Sequence, residues 1–417
     1  MTLVRGTTYK GALVGAPGPA LLGLGSIVPG GGFRANSYKT YGGECPDKLM
    51  LYPGDLYVSL KGATKDGEMI GSIARVPAEV PSGRLTQDTV KLLLDGNEHG
   101  FPSYIYWLLR TPHYRAYCAG RATGSAVVAL SREDFLSYPV PDFNCVRREV
   151  TELLDAIESK IELNQRMNET LEAMARAIFK DWFVDFGPTR AKMEDRAPYL
   201  APDIWALFPD RLDDDAKPKG WLGGALSDVA AATGSSIAPG SIDPDTPYIG
   251  LEHMPRKSIA LSEWEGADKV TSGKLSFQKG DTLFGKLRPY FHKVGIAPVN
   301  GICSTDIVVM RARRAIASAF VTSIVSSNEF VNFTDRTSGG TKMPRTSWTM
   351  MAAYPVTIPH ETALTVFEET AAPMFARISS NIHENRTLAA TRDLLLPKLT
   401  SGEIRIRDAE AMIADAA

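Results

Sequence analysis

The stretch VRREVTELLDAIESKIELNQRMNETLEAMARAIFKDWF (146–183) decides the fold, because it contains neither glycine nor proline. It is rich in Glu, Leu, Ala, Arg and Met, and most of these residues favour helix. The helical composition begins near Cys145 and lasts until Gly187, so the sequence predicts one long helix over residues 145–186. A helix of this length gains most of its stability by packing one face against a partner.

Apolar residues recur along this helix at alternating steps of three and four, which is the spacing of a coiled-coil seam. The seam consists of Val150, Leu154, Ile157, Ile161, Asn164, Asn168, Leu171, Ala175 and Ile178. Two of its members are polar asparagines. A buried Asn lowers stability unless a matched polar neighbour satisfies it, so Asn164 and Asn168 are expected to fix the register and the partner of the helix.

A second helical segment with the same spacing lies in residues 361–417. Its seam is predicted from Phe375, Ile378, Ile382, Asn385, Ala389, Leu396 and Leu399. Arg392 interrupts this seam. Because proline lacks an N–H donor and clashes with the preceding turn, Pro373 predicts that the unbroken helix starts or is kinked there, and Pro397 predicts that it ends or bends.

Two segments rich in Gly, Pro and short β-prone runs lie at residues 1–144 and 221–360. Their predicted strands include LYVSL (56–60), TVKLLL (89–94), AVVAL (126–130), DTLFGKL (281–287) and GICSTDIVVMRA (301–312). The composition of residues 187–220 indicates a surface linker. The predicted fold class is therefore α/β (α+β), with two globular domains joined by two long helices.

Four short motifs recur in the same order in the two globular segments. They are Gly23-Leu24 with Gly250-Leu251, Gly54-Asp55 with Gly280-Asp281, GRLTQD (83–88) with GICSTD (301–306), and YPV (138–140) with YPV (354–356). A helix with a polar seam residue follows each copy, Asn164 in the first and Asn385 in the second. We therefore predict an internal duplication of a unit made of one globular domain and one helix.

Two amphipathic helices on one chain bury their apolar stripes most readily against each other. If the pair is antiparallel, a pseudo-two-fold axis relates the halves, and the globular domains lie at opposite ends of a rod. A paired stretch of about 25 to 35 residues at ~1.5 Å per residue separates the domains by roughly 40 to 50 Å, or between one and one and a half turns of B-DNA. The pattern predicts two heads that read two DNA half-sites, which need not match.

The chain has 417 residues, of which 44% are hydrophobic and 23% charged, and a formal net charge of −2. This composition is typical of a folded globular protein. The charge alternates along the chain, being +2 over residues 1–144, −4 over 145–219, +3 over 220–360 and −3 over 361–417. Local positive charge in both globular segments is compatible with DNA binding. No apolar run reaches the ~20 residues of a membrane span, so we expect a cytoplasmic protein.

The sequence offers no recognisable catalytic, cofactor or metal motif. Neither the cysteines nor the histidines show ligand spacing; they are Cys45, Cys118, Cys145, Cys303, His99, His113, His253, His292, His360 and His383. A GxxxxGK[ST] loop, a complete GxGxxG motif and the Asn/Asp-Pro-Pro-aromatic tetrapeptide of amino-methyltransferases do not occur. We expect no cofactor, no metal and no catalytic residue.

Three stretches of the sequence resemble the specificity subunits of type I restriction-modification systems. They are KIELNQRMNETLEAMARAIFKDWFVDF (160–186), FPDRLDDDAKPKGW (208–221) and LLLPKLTSGEIRI (394–406). The resemblance implies two target recognition domains that each read one part of a split DNA sequence, and helices that dock two modification (methyltransferase) subunits. It also implies a prokaryotic complex in which modification and restriction (translocase) subunits, and not this chain, perform the chemistry.

Basic residues beside Gly or aromatic side chains are the candidates for contact with double-stranded DNA, through guanine edges or phosphates. They occur in SLKGATKDG (59–67), GRATGS (120–125), KLRPYFHK (286–293) and DRTSGGTKMPR (335–345). The candidates are Lys61, Lys65, Arg121, Ser125, Lys286, Arg288, His292, Lys293, Arg336, Lys342 and Arg345. For these stretches, a solvated turn or a Gly-rich strand connection is the competing interpretation.

Two aromatic residues, Trp182 and Phe183, close the long helix. They are interpreted either as core residues or as a docking spot for the modification subunit. The glutamates of this helix indicate a solvated face, with a partner surface as the alternative; they are Glu152, Glu158, Glu162, Glu169 and Glu172. Two other functions stay open at this point, a protein-only coiled-coil scaffold and an enzyme with an unrecognised nuclease or methyltransferase site.

Overall fold

A computed structural model describes residues 1–34, 38–62, 67–95, 98–124, 128–340 and 342–401. The chain divides into two compact units. Unit 1 comprises residues 1–160 and 387–417, and unit 2 comprises residues 161–386. Each unit therefore contains one of the globular segments and a part of each long helix.

Unit 1 contains two small sheets. Its strands are β1 (Thr2–Arg5), β2 (Ala20–Leu22), β3 (Met50–Leu51), β4 (Leu56–Ser59), β5 (Ile73–Arg75), β6 (Gly83–Leu85) and β7 (Thr89–Leu93). One sheet has the antiparallel order β1-β7-β4-β5, and the other has the order β2-β6-β3 with β2 parallel to β6. The strands predicted at LYVSL and TVKLLL are confirmed as β4 and β7. The strand predicted at AVVAL is wrong for residues 128–130, where Ala129 forms only isolated β-bridges.

Helices follow the sheets of unit 1. They are α1 (Phe101–Leu108), α2 (Pro112–Arg121), α3 (Arg132–Leu136) and the long helix α4 (Cys145–Phe179). The hydroxyl of Thr111 accepts a hydrogen bond from the Tyr114 N–H at 3.3 Å and so caps α2. The side-chain oxygen of Asn144 caps α4 by accepting from the Arg147 N–H at 3.0 Å. Local sequence therefore determines where these helices start.

Unit 2 contains the remaining strands and most of the remaining helices. The strands are β8 (Leu222–Ala225), β9 (Ala230–Ala232), β10 (Ser236–Ile237), β11 (Pro247–Ile249), β12 (Glu265–Gly266), β13 (Lys274–Phe277), β14 (Thr282–Gly285), β15 (Val294–Ile296), β16 (Gly301–Cys303), β17 (Ile307–Ala312) and β18 (Pro355–Ile358). The helices are α5 (Gly187–Met193), α6 (Pro202–Ala206), α7 (Leu226–Val229), α8 (Ser318–Val325), α9 (Asn328–Thr337), α10 (Trp348–Ala352) and α11 (Glu361–Ser401). The sheets have the orders β15-β14-β17-β9, β10-β13-β16-β11-β12 and β18-β8.

The internal repeat predicted from the sequence is confirmed by the strand order. The sheet β9-β17-β14-β15 of unit 2 corresponds to β1-β7-β4-β5 of unit 1, and β11-β16-β13 corresponds to β2-β6-β3 with the same parallel pair. GRLTQD and GICSTD provide the equivalent strands β6 and β16. A Cβ atom on Gly83 would lie 2.3 Å from Leu22 Cδ1, and one on Gly301 would lie 2.3 Å from Pro247 O. In both copies a side chain at this position would force its neighbours to move.

A second shared feature lies at Gly54-Asp55 and Gly280-Asp281, directly before β4 and β14. Both glycines have a φ of +90°, a conformation that other residues adopt only with strain. Asp55 pairs with Lys91 on β7 at 2.5 Å, and Asp281 pairs with Arg311 on β17 at 2.6 Å. The motif match therefore reflects the same turn, held to the neighbouring strand by the same kind of ion pair.

In unit 2, α4 and α11 lie against each other through their seam asparagines. Asn164 Nδ2 donates to Asn385 Oδ1 at 2.9 Å and to Glu384 Oε2 at 2.8 Å. Asn381 Nδ2 donates to Asn168 Oδ1 at 2.8 Å. Four residues forward on α4 correspond to four residues backward on α11, so the helices are antiparallel. Polar neighbours therefore lie opposite the seam asparagines as predicted, but Asn164 Oδ1 and Asn381 Oδ1 are buried without a hydrogen-bond partner among the described residues.

Most of the predicted seam is buried. Leu154, Ile157, Ile161, Ile378, Ile382 and Leu396 are buried, while Leu171, Ile178 and Asn385 are half-buried. Leu399 lies in the last turn of α11, and its side chain is outside the described part of the chain. In unit 1, Arg392 of α11 donates to Glu158 of α4 at 3.0 Å, and Arg110 lies 3.5 Å from the same carboxylate. The polar interruption of the second seam is therefore neutralised by an ion pair.

Helix α11 runs from Glu361 to Ser401 without a break, so the start predicted at Pro373 and the end predicted at Pro397 are wrong. Both prolines occupy exposed positions, and the turns before Pro373 are held in the unit 2 core by Leu364 and Phe367. That burial offsets the ~3 kcal/mol that an interior proline costs a helix. No described helix, α11 included, contains an apolar stretch long enough to cross a membrane.

The end of α4 enters the hydrophobic core of unit 2. The chain forms one π turn at Lys180–Val184, and Trp182 and Phe183 are only 4% and 5% exposed. The Trp182 ring lies 5.3 Å from that of Phe208, a residue of the predicted linker, and the Phe183 ring lies 5.1 Å from that of Phe320. The core therefore encloses both rings, which favours the interpretation of Trp182 and Phe183 as core residues.

The glutamates of α4 do not all face solvent. Glu172 is 7% exposed. One of its oxygens accepts from Ser258 Oγ at 2.9 Å and from the Ile259 N–H at 3.0 Å, and the other accepts from Arg176 at 2.6 Å. Burial raises the pKa of the Glu172 carboxyl above its ordinary value of 4.5, although these bonds oppose the rise. The predicted solvated face is wrong at this position, where the side chain joins α4 to a loop of unit 2.

Replacing Asn381 by Ala should lower the free energy of unfolding by about 1–3 kcal/mol, because the buried amide of Asn168 would lose its donor. Replacing Asn168 and Asn381 together by Leu should recover much of this loss, since neither side would keep an unpaired polar group. Chemical denaturation measures both effects, with Leu163→Ala at an exposed position of α4 as the control. Equal stability of the single and double variants would contradict the pairing.

Glu172 should make the stability of the protein depend on pH. Because its pKa is raised in the folded protein, the folded state still holds this proton at pH values where the unfolded chain has released it. The free energy of unfolding should therefore fall as the pH rises from 4.5 through the raised pKa, and Glu172→Gln should lack this fall. Denaturation at a series of pH values measures it, with the exposed Glu169→Gln as the control. Parallel profiles for wild type and Glu172→Gln would sink the prediction.

Candidate nucleic-acid interface

Two basic stretches of unit 2 that the sequence predicted separately, KLRPYFHK (286–293) and DRTSGGTKMPR (335–345), meet in the structure. Leu287 forms a β-bridge with Arg345. At the next residue, the Arg288 N–H donates to a carbonyl of the second stretch at 2.8 Å. The residues that follow β14 and the segment that follows α9 therefore form one surface, called here the unit 2 basic surface. Its members are Lys286, Arg288, Arg336, Lys342 and Arg345.

A short hairpin presents much of this surface. Gly339 and Arg345 exchange two backbone hydrogen bonds of 3.1 and 2.9 Å, which close the hairpin. Gly340 has a φ of +93°, a conformation that favours glycine. Lys342 is exposed and makes no hydrogen bond or ion pair with a described residue. A backbone-closed loop with a solvent-facing cation is suited to contact phosphate.

Two cations of this surface, Lys286 and Arg345, lie close enough to repel each other. Burial lowers the pKa of Lys286, and the nearby Arg345 lowers it further. The Arg345 guanidinium is more than half exposed and is ion-paired with Asp306. A partly buried lysine beside an arginine is stabilised in its charged form by an anion. This part of the surface therefore favours a negatively charged ligand.

Arg288 occupies a strained position on the same surface. Its backbone is left-handed, with a φ of 51°, and its Nε is buried without a hydrogen-bond partner among the described residues. The Arg288 guanidinium lies 5.9 Å from the centre of the Phe291 ring. The guanidinium of Arg256 lies over the same ring at 4.2 Å. Strained residues with unsatisfied polar atoms are frequent at functional sites. No sequence pattern singled out Arg256, because only the folded turn brings it to Phe291.

Two residues of KLRPYFHK are bonded within the protein, the buried His292 and the half-buried Lys293. His292 is 6% exposed, its Nε2 is bonded to Ser326 O at 2.9 Å, and burial lowers its pKa. Lys293 donates to Leu251 O, and burial lowers its pKa as well. His292 is therefore unsuited to its predicted DNA contact, because its side chain is enclosed. The ammonium of Lys293 is already engaged by a carbonyl of its own chain.

Unit 1 combines the equivalent segments in the same way. Ala129 forms β-bridges to Lys61, after β4, and to Thr123, after α2. Lys61 pairs with Asp88 at 3.0 Å. Arg121 lies over the Tyr117 ring at 4.5 Å. Lys61 and Arg121 are therefore the described cations of a unit 1 basic surface, whereas the predicted contacts Lys65 and Ser125 lie outside the described residues.

The two units thus share a construction that the sequence motifs did not reveal. In each, the residues after the central strand, β4 or β14, form a β-bridge to the hairpin that follows α2 or α9. Both helices end in a basic residue, Arg121 or Arg336, in their last turn. The candidate residues of different motifs therefore converge because duplicated topology brings the same two segments together.

Comparison with known proteins found no matching family model. Among curated proteins, the chain is 24% identical over 368 residues to the type I restriction enzyme HindI specificity subunit of Haemophilus influenzae, covering 73% of this chain and 77% of the relative. It is 23% identical to the type I restriction enzyme MjaIX specificity subunit of Methanocaldococcus jannaschii, covering 73% and 69%. Both relatives match most of their length.

Among solved structures, the chain is similar to the S subunit of a type I restriction-modification system from M. genitalium. The TM-score is 0.54 at 12% sequence identity, and the similarity covers 95% of this chain and 93% of that chain. This likeness establishes a common fold. The resemblance that the three sequence stretches indicated is confirmed by these findings: the proteins to which this chain is similar are specificity subunits of type I restriction-modification systems.

Proposed function

We propose that the chain is the DNA sequence-recognition subunit of a type I restriction-modification complex and catalyses no reaction itself. The specificity subunits to which it is similar support this proposal. The observation that carries it is the convergence, in each unit, of a strand end and a hairpin with basic side chains. Two such surfaces on one chain suit a ligand with two separate binding segments, such as a split DNA sequence.

The two surfaces differ in their side chains. Unit 1 offers Lys61 and Arg121, and unit 2 offers Lys286, Lys342 and Arg345 among the described residues. Since base sequence is read by the particular side chains that reach the groove, different surfaces imply half-sites of different sequence. The proposed target is therefore a bipartite, asymmetric DNA site.

The side chains of the unit 2 basic surface divide into two proposed roles. Lys342 and Arg336 are exposed and would anchor phosphates, which positions the domain on the duplex without selecting a sequence. Arg345 and Arg288 have planar guanidinium groups that can bond guanine O6 and N7 together. When DNA binds, Arg345 would break its ion pair with Asp306 and bond a guanine base instead.

The proposed partners are two modification subunits, which dock on the helices, and restriction subunits, which join through that complex. The helices suit this role because they are rigid and their pairing is fixed by buried asparagines. Base methylation and cleavage would then take place on the partner subunits. A complex of this kind acts on DNA in the prokaryotic cytoplasm.

Replacing Lys342 by Ala should weaken DNA binding to a similar degree at all sequences and reduce the slope of log affinity against log salt by about one, because a phosphate contact is lost. Replacing Arg345 by Ala should instead cost about 1–3 kcal/mol at one half-site only. Competition binding measures both, using a duplex whose site is identified by mapping methylated positions in host DNA. Lys269→Ala, at an exposed position outside the surface, serves as the control.

Two outcomes would contradict the proposed function. Wild-type complex that binds all duplexes alike, or none, would favour the protein-only scaffold. Methylation or cleavage of DNA by the purified chain with a divalent metal and a methyl donor would favour the enzyme.

The spacing between half-sites should depend on the paired helices. Inserting one heptad into each helix, after Lys160 and after Arg386, preserves the seam and lengthens the paired region by about 10 Å at ~1.5 Å per residue. The preferred spacer should grow by about three base pairs, which selection from a library of spacer lengths measures. A heptad inserted at exposed Asp214 is the control. An unchanged spacer in the helix variant would refute the role of the helices as a ruler.

A further inference from the structure

An apolar pocket opens on unit 2 beside the π turn that ends α4. Its volume is about 210 Å³. The walls come from the end of α4, from α8 and from β18; they include Phe179, Phe183, Phe186, Phe320, Ile324 and Val356. Val184, at the same site, is 41% exposed. The pocket is therefore an accessible cavity with aromatic walls.

The π turn explains why aromatic rings meet at this position. The wider turn at Lys180–Val184 follows Phe179 directly, and the rings of Phe179 and Phe183 lie 5.8 Å apart. Both contact Phe320 of α8, at 5.7 and 5.1 Å. Such π turns are rare and frequently occur at functional sites. All three rings, Phe179, Phe183 and Phe320, also pack in the core of unit 2, which holds them in place. The pocket is therefore preformed.

The size of the pocket sets the class of its occupant. An apolar cavity of ~150 Å³ is large enough to hold benzene, and this one is larger. Wall atoms without a neighbour lose dispersion contacts, which an inserted apolar group would restore. The pocket can therefore accept one large apolar side chain of another protein.

The charge beside the pocket sets a second requirement. Glu329 lines the pocket, is exposed, and makes no hydrogen bond or ion pair with a described residue. Asp181, Asp185 and Glu329 all lie near Lys180, and Arg190 donates to the Asp185 carbonyl. Glu329 is the only charged side chain among the described walls, so the pocket itself carries a negative charge. Such a rim repels a polyanion such as DNA and attracts a basic side chain.

We propose that this pocket binds a large apolar side chain of the modification subunit, next to a Lys or Arg of the same subunit that pairs with Glu329. The proposal rests on the proposed function, because it takes the modification subunit as the partner. Four of the twelve wall residues come from the stretch 160–186 that carries the family resemblance, whereas the basic surface of unit 2 lies outside that stretch. A surface built from the shared stretch suits the shared partner.

The test uses the full chain and the modification subunit of the same complex. Thr357→Trp places a ring in the pocket from β18 and should weaken binding of the modification subunit at least tenfold. Val184→Glu, at an exposed position of the mouth, should weaken it without lowering the melting temperature. Glu329→Lys should weaken it most at low salt, since the lost attraction is screened at high salt. Asp268→Lys, at an exposed position away from these walls, should bind like wild type.

Each result bears on the pocket separately from DNA recognition. Unchanged binding by Thr357→Trp and Val184→Glu would overturn the proposal. Unchanged binding by Glu329→Lys would show that no Lys or Arg of the modification subunit pairs with Glu329. If Thr357→Trp instead dissociates a dimer of this chain while the modification subunit still binds, the occupant is a second copy and the proposal is wrong. Lys342→Ala should retain full affinity for the modification subunit. Failure of the wild-type chain to bind that subunit would contradict the proposed function itself.

Discussion

The pairing of α4 with α11 through buried asparagines is the constraint on which the rest of the structure depends. A seam of leucine and isoleucine alone would tolerate shifted registers, because apolar contacts have little directionality. Two amide pairs, Asn164 with Asn385 and Asn168 with Asn381, leave one register in which these side chains bond to each other. Asparagines in the seam make the helix pair less stable than an all-apolar seam would, but they specify a single register. The register of the two helices therefore determines which of their residues contact the globular parts.

The globular part of each unit is a frame that carries different surfaces. Equivalent sheets and equivalent turns at Gly54 and Gly280 preserve the frame. The side chains on the hairpins are not preserved, because exposed positions carry little of the packing energy. A duplicated fold can therefore present two unlike basic surfaces at equivalent places, as a reader of two unlike half-sites would require.

Several expectations from the sequence were wrong for identifiable physical reasons. Pro373 does not start α11, because the residues before it are buried in the unit 2 core. His292 was chosen for its charge and neighbours, but periodicity cannot reveal that its turn folds inward. Asn381 was overlooked although the sequence held the signal. Once Asn164 pairs with Asn385 in an antiparallel arrangement, Asn168 must lie opposite residue 381.

The sequence by itself determined the two long helices, the seam asparagines, the duplication and the mixed α/β class, because these depend on local propensity and on the periodic spacing of apolar residues. It did not determine which candidate side chains share a surface. The bridge from Leu287 to Arg345, the burial of Glu172 and the pocket between Phe179, Phe183 and Phe320 all join residues far apart in the chain. Only tertiary packing decided them, since burial and charge environment arise from neighbours that no local pattern specifies.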